Sequence, residues 1–180
     1  MPFLERPLGT GALSLLFRQR GCRTLADAAA HLTALPYGRT TGSEPEQVLL
    51  QARGTCSTKH ALFALTCREA GEDVKLMIGF FPMAEDNTPG VGAVLQEAGL
   101  RAIWEAHCYV RTPDGPLDLT GLPSGETPVH LADEVELEPT EIARKAELHR
   151  NALAVWAKRE GLDQDLEGLW VLRERCIAAL

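Results

Sequence analysis

The sequence predicts an α+β fold, with a helix, a strand and a hairpin at its centre and helices on both flanks. Three observations predict it. The segment from about Cys56 to Ala70, CSTKHALFALTCREA, reads as a helix stopped by Gly71, where a positive φ is usual. VKLMIGFF follows, with Val74, Leu76, Ile78 and Phe80 alternating against Lys75, Met77 and Gly79, as in a strand with one buried face. AIWEAHCYVR over 102–111 and PLDLT over 116–120 then flank TPDG at 112–115, whose Pro and Gly sit where a tight turn favours them. Strands joined by a turn after a single helix make an α+β rather than a doubly wound arrangement.

The flanking elements follow from caps and stripes. Residues 11–35 read as two helical pieces split at Gly21. Thr24 caps the second, with Asp27 three residues on in a variant of the capping box. Leu25, Ala28, Ala29, Leu32 and Leu35 then share a helical face, and Pro36 and Gly38 end it. Residues 38–46 are loop-like, rich in Gly, Ser, Thr and Pro. After the first strand, 82–88 is a polar loop. Thr88 as N-cap with Pro89 at the first helical position predicts a short helix to about Ala98, closed by Gly99.

Residues 121–139 are loop-rich and acidic. Thr140 caps a helix whose stripe is Ile142, Ala146, His149, Leu153 and Trp156, stopped at Gly161. Asp163 caps a last helix with Leu166, Leu169, Trp170 and Ile177 together. One domain over 1–180 is expected, with its core at about 50–121, N-terminal helices at 11–35 and C-terminal helices at 140–178.

Composition excludes several classes of function. The 180 residues are 45% apolar and 24% charged, the mix of an ordinary globular protein, and long enough to need no disulfide or metal staple. A net charge of −7 argues against a general nucleic-acid binder, which needs Lys and Arg to displace counterions. No apolar run approaches the roughly 18 residues of a membrane span. The five cysteines, Cys22, Cys56, Cys67, Cys108 and Cys176, are odd in number and contain no CxxC pair, so they form no disulfide framework. The N-terminus is a poor signal peptide, with Glu5 beside Arg6 and RQR where a small-residue cleavage site would stand. A reducing cytoplasm is the expected compartment.

Three residues carry chemistry by type and setting. Cys56 opens a helix, whose unpaired N–H groups favour an anion, and a thiol is a nucleophile only as its anion. His107 in the second strand can take that proton and return it to a leaving group. Asp118 in the third strand can fix the imidazole tautomer. The backbone N–H of Cys56 is a candidate oxyanion donor. Directly opposite placement of His107 and Asp118 needs a hairpin centred between residues 112 and 113. The Pro-Asp-Gly turn centres one or two residues later, so the pair meets through a bulge or diagonally.

GTCSTKHALFALTCREAGEDVKLMIGF, followed by EAHCYV and PLDLT, resembles the Cys-helix-strand, His-strand and Asp-strand segments of the transglutaminase-like family, within the papain-like superfamily. The order Cys, His, Asp agrees, as do Gly54 two before the cysteine, the stop at Gly71 and the Gly79-aromatic strand end. The resemblance covers about residues 50–121. It implies a papain/transglutaminase-like core with the nucleophile helix packed on a small antiparallel sheet. It also implies Cys56 as nucleophile, His107 as base and Asp118 as orienter, working without cofactor or metal on a peptide, protein or small amide or ester. Tyr109 stands where the family usually has Trp. Gln51 and Tyr37 are the candidates for its side-chain oxyanion donor. Residues 82–100 lengthen the first strand connection, as either a lid or substrate wall or plain surface.

The expected function is a cysteine-dependent acyl-transfer enzyme, a hydrolase with water as acceptor and a transferase with an amine. Arylamine N-acetyltransferases share the residue order, but RGTCSTK lacks the second Gly and the Glu of their RGG-x-C-x-E segment. The alternative is a non-catalytic peptide- or partner-binding module on the same fold. A zinc site from Cys56, His60 and His107 has no fourth ligand at a recognisable spacing. Other readings of single residues are plainer. Lys59 is placed to lower the thiol pKa but reads first as a solvated helix lysine, Asp114 reads as a turn residue, and Cys67, Cys108 and Cys176 as structural thiols, with Cys108 on the strand face opposite His107.

Overall fold

The computed structural model describes residues 2–42, 44–121 and 131–180. The fold is α+β. Its helices are α1 (Ala12–Gln19), α2 (Leu25–Ala34), α3 (Gln47–Leu50), α4 (Cys56–Glu69), α5 (Gly92–Glu97), α6 (Arg144–Glu160) and α7 (Leu166–Ala178). The strands are β1 (Lys75–Met83), β2 (Ile103–Thr112), β3 (Gly115–Leu117) and β4 (Ala132–Leu137), in one antiparallel sheet of order β3-β2-β1-β4. The chain divides into two compact units. One comprises Met1–Ile78, Cys108–Gly125 and Val135–Ala143, the other Gly79–His107, Glu126–Glu134 and Arg144–Leu180. Among the described residues no helix is long and apolar enough to cross a membrane.

In the first unit, α4 packs against α1, α2, α3 and the 3-10 turn Pro139–Glu141. Leu62 and Phe63 of α4 are fully buried, as are Leu25 and Leu32 of α2. Each such side chain stabilises the fold by about 1.5–3 kcal/mol relative to exposure. The break at Gly21 has φ +85°, and the capping box at Thr24 is complete, with Asp27 Oδ2 accepting the Thr24 N–H at 2.9 Å. The N-terminus of α1 is capped from α4 instead: Glu69 accepts the N–H groups of Leu13 and Ser14 at 3.0 and 2.7 Å.

In the second unit, α7 packs against α5 and α6. Arg173 of α7 clasps Glu105 of β2 through two bonds of 2.6 Å, both side chains buried. His149 of α6 bonds the Trp104 carbonyl through Nε2 at 2.9 Å, and Trp104 stacks on Trp156 at 6.3 Å between ring centroids. A carbonyl accepts only, so Nε2 is the protonated nitrogen of that imidazole.

Several elements differ from the sequence expectation. Strand β1 is buried on both faces, since Met77 and Phe81 are as covered as Ile78 and Phe80. Helix α5 starts at Gly92 rather than after Thr88. Gly90 has φ +107°, which no right-handed helix accepts, and Glu85 takes the N–H groups of Gly90 and Gly92. Thr140 lies inside the 3-10 turn and α6 begins at Arg144. Asp165, not Asp163, caps α7 by accepting the Gly168 N–H at 2.7 Å. Short α3 and strand β4 were not expected. Residues 122–130 of the loop expected over 121–139 lie outside the described residues.

The β2–β3 hairpin pairs Val110 with Leu117, Arg111 with Pro116 and Thr112 with Gly115. It is centred between Pro113 and Asp114, one residue later than direct opposition of His107 and Asp118 requires. Strand β3 ends at Leu117, so Asp118 lies just past it rather than within it. Asp114 is a turn residue as expected, and its carboxylate accepts the Phe3 N–H at 3.2 Å.

Candidate functional site

Cys56 is the first residue of α4, placed there by a capping box in which Thr55 and Thr58 bond each other's backbone N–H. A β-bridge between Tyr37 and Gly54 holds the approach to the helix, with the Gly54 N–H donating to the Pro36 carbonyl at 3.2 Å. Gly54 is small because of packing. A Cβ there would stand 2.8 Å from Lys59 Cγ and 3.2 Å from Val48 Cγ1. Cys56 is 3% exposed, buried at the helix tip.

Behind Cys56 the first turn of α4 presents two polar side chains to the interior of the first unit. His60 is fully buried. Its Nδ1 lies 2.6 Å from the Cys56 carbonyl, and its Nε2 accepts the Leu119 N–H at 2.6 Å. An Nε2 that accepts leaves a proton on Nδ1 to donate to the Cys56 carbonyl. Asp118 Oδ1 stands 3.4 Å from that Nε2. Asp118 Oδ1 instead accepts the Thr120 N–H at 2.8 Å and the Thr120 hydroxyl at 2.5 Å, an Asx turn that directs the chain out of β3.

Lys59 departs most from expectation. It is not solvated: the side chain is fully buried, and Nζ donates to the carbonyls of Leu35 at 2.7 Å and Thr120 at 2.8 Å. Burial lowers its pKa from the ordinary lysine value, while the charges of Asp118 and Cys56 act to raise it. The structure thus gathers Cys56, Lys59, His60 and Asp118 in the first unit. Lys59 and His60 signalled themselves only by spacing: with Cys56, Phe63 and Cys67 they occupy one helical stripe, and all five residues are buried.

His107 is the last residue of its segment in the second unit, whereas Cys56 and Asp118 belong to the first. It is 7% exposed on β2, with the Phe81 ring edge-on at 6.5 Å. The hairpin pairing ends at Val110 and Leu117, so neither His107 nor Asp118 is among its paired residues.

Of the oxyanion candidates, Gln51 has its side chain engaged in the 38–51 loop. Its amide donates to the Thr41 carbonyl and hydroxyl and to Gln47, and its Oε1 accepts the Thr41 N–H. All five cysteines are free thiols and buried. Burial is the largest influence raising the pKa of Cys22, Cys67 and Cys176, which keeps these thiols protonated. His60 has both ring nitrogens bonded to backbone groups, which leaves neither for zinc. Among the described residues no group of three or more His, Cys, Asp or Glu is placed to hold a metal. In the second unit the 84–101 segment forms an open depression of its own, with Glu85, Asp86, Leu95 and Arg101 in its lining. No family model, no curated protein and no solved structure matches the chain.

Proposed function

We propose that the chain is a cysteine-dependent acyl-transfer enzyme acting on a peptide, protein or small amide or ester. Cys56 is the nucleophile, His107 the base and Asp118 the orienting carboxylate. The observation that carries this reading is the place of Cys56 as the buried first residue of α4, one helical turn before the fully buried Lys59. A fixed cation and a helix N-terminus together favour a sulfur anion over the neutral thiol. The anion attacks the acyl carbonyl carbon. The leaving group departs with a proton from His107, and a thioester on Cys56 remains. Water or an amine then gives its proton to His107, attacks the thioester and releases Cys56.

A binding module is favoured by one specific observation: Asp118 Oδ1 already serves the Asx turn with Thr120, a scaffold role. Alkylation separates the two readings. The native protein is treated with iodoacetamide from pH 5 to pH 9 and the modified residues are mapped. The enzyme reading expects Cys56 to label at pH values where Cys22, Cys67 and Cys176 stay silent, with the low-pH advantage lost in His107→Ala. Slow labelling of Cys56, rising only with ordinary thiol ionisation and indifferent to His107, overturns it and leaves the binding module.

A further inference from the structure

We propose that Lys59 is a positioning residue of this site, fixing the first turn of α4 to the chain that leaves β3 and placing an ammonium one helical turn from Cys56. The inference rests on the reading of Cys56 as the reacting group. Its geometry is a three-way tie. One ammonium bonds the carbonyl of Leu35, just past the end of α2, and the carbonyl of Thr120, two residues after Asp118, at 2.7 and 2.8 Å. His60 adds a parallel tie from the next position of α4, to the Leu119 N–H. Two consecutive residues, Leu119 and Thr120, are thereby held against two consecutive residues of the helix that Cys56 begins.

The surroundings are built for Lys59 in particular. Gly54 leaves room for its stem, since a Cβ there would press on Lys59 Cγ at 2.8 Å. Gly121, at φ +70°, brings the chain past the ammonium; a Cβ at that position would lie 3.7 Å from Nζ and would collide with the Thr33 carbonyl. A buried ammonium is costly unless bonded, and here its bonds go to two carbonyls. Neutral carbonyls satisfy its hydrogen bonds without cancelling its charge. The ammonium and Asp118 therefore act on each other through space, and the Cys56 sulfur lies one helical turn away.

The test measures the rate of Cys56 carbamidomethylation from pH 5 to pH 9 in the wild type, Lys59→Met and Lys59→Arg. Loss of one close opposite charge is expected to move the Lys59→Met profile up by about one pH unit, roughly tenfold slower on its acid limb. Lys59→Arg, which keeps the charge, is expected to recover most of the shift. A fastener without an electrostatic role would lower the melting temperature of Lys59→Met and leave the profile of the folded protein in place, and that result overturns the proposal. The position of the wild-type profile reports separately on the enzyme reading. An ordinary wild-type profile that still moves in Lys59→Met sinks the enzyme and keeps Lys59. A low wild-type profile that does not move does the reverse. Should Lys59→Met not fold, the ammonium is titrated by NMR in the wild type and in Cys56→Ala. A downward shift of its midpoint in the alanine variant supports the proposal, and identical curves overturn it.

Discussion

Arg173 and Lys59 are both buried cations, and the two units satisfy them in different ways. In the second unit, Glu105 meets Arg173 with two parallel bonds of 2.6 Å, so charge is balanced atom against atom. Burial acts to raise the pKa of Glu105, yet the bonds and charge of Arg173 hold it below the ordinary carboxylate value. In the first unit, the Lys59 ammonium bonds two neutral carbonyls. The first arrangement is a closed fastener between β2 and α7. The second leaves a field that reaches Asp118 and Cys56. The comparison teaches that burial of charge alone does not mark a site; what distinguishes the first unit is how its charge is satisfied.

The largest effect expected from breaking this contrast lies in the second unit. Arg173→Met leaves Glu105 buried without its partner and should cost about 3–5 kcal/mol in denaturant unfolding. Glu105→Leu combined with Arg173→Met should recover most of that loss, because an apolar pair needs no desolvated charge. A double variant as unstable as the single one would mean that the pair does more than fasten. Next in size is Gly121→Ala in the first unit. Its positive φ and the collision with the Thr33 carbonyl should cost about 1–3 kcal/mol. The same substitution should disturb the Thr120 carbonyl that Lys59 holds, so Cys56 labelling should change with stability. The Arg173 variants should leave labelling alone.

A smaller effect sharpens the second unit further. His149 has a pKa below its ordinary value, chiefly through burial, with Glu105 pulling the other way. The unfolded chain therefore takes up the proton more readily than the folded one. Stability from this group is full above the ordinary value of 6.5 and falls as pH drops below it. The slope cannot exceed about 1.4 kcal/mol per pH unit. His149→Gln, which keeps a donor for the Trp104 carbonyl, should flatten the stability curve between pH 6.5 and pH 5. A variant whose curve matches the wild type over that range would show that His149 does not set the acid response.

Elements announced by caps and periodic apolar residues were legible in the sequence. The break at Gly21, the box at Thr24, helix α4 with its stop at Gly71 and the TPDG turn all lie where the sequence places them. Strand β4 was not legible, because ADEVEL is rich in the acidic residues that strands disfavour. It is accommodated by long-range partners: Gly79 leaves space for Leu131 and Glu134, and Lys75 pairs with Glu136 at 3.2 Å. Lys59 was misread for a related reason. A lysine on a helix is ordinarily solvated, and its two carbonyl partners lie 24 and 61 residues away in sequence. His60 is tied just as remotely, 59 residues on, by the backbone of Leu119. Long-range satisfaction of polar groups has no local signature, and the candidate site depends on it.

The finest test separates the two roles that the first unit gives to one carboxylate. Asp118→Asn retains an oxygen where Oδ1 accepts the Thr120 N–H and hydroxyl, so the turn should persist and stability should change by less than about 1 kcal/mol. Asp118→Ala removes that acceptor, leaves the Thr120 N–H unsatisfied and should cost about 1–3 kcal/mol. The asparagine variant alone isolates charge. With the carboxylate gone, Lys59 loses one of the two influences that raise its pKa, so its ammonium should titrate lower than in the wild type. If Asp118 also orients His107, the low-pH labelling of Cys56 should weaken in the asparagine variant as well, at nearly unchanged stability. Labelling that fails only in the alanine variant would assign Asp118 to the turn, and the contrast between the units would then rest on Lys59 alone.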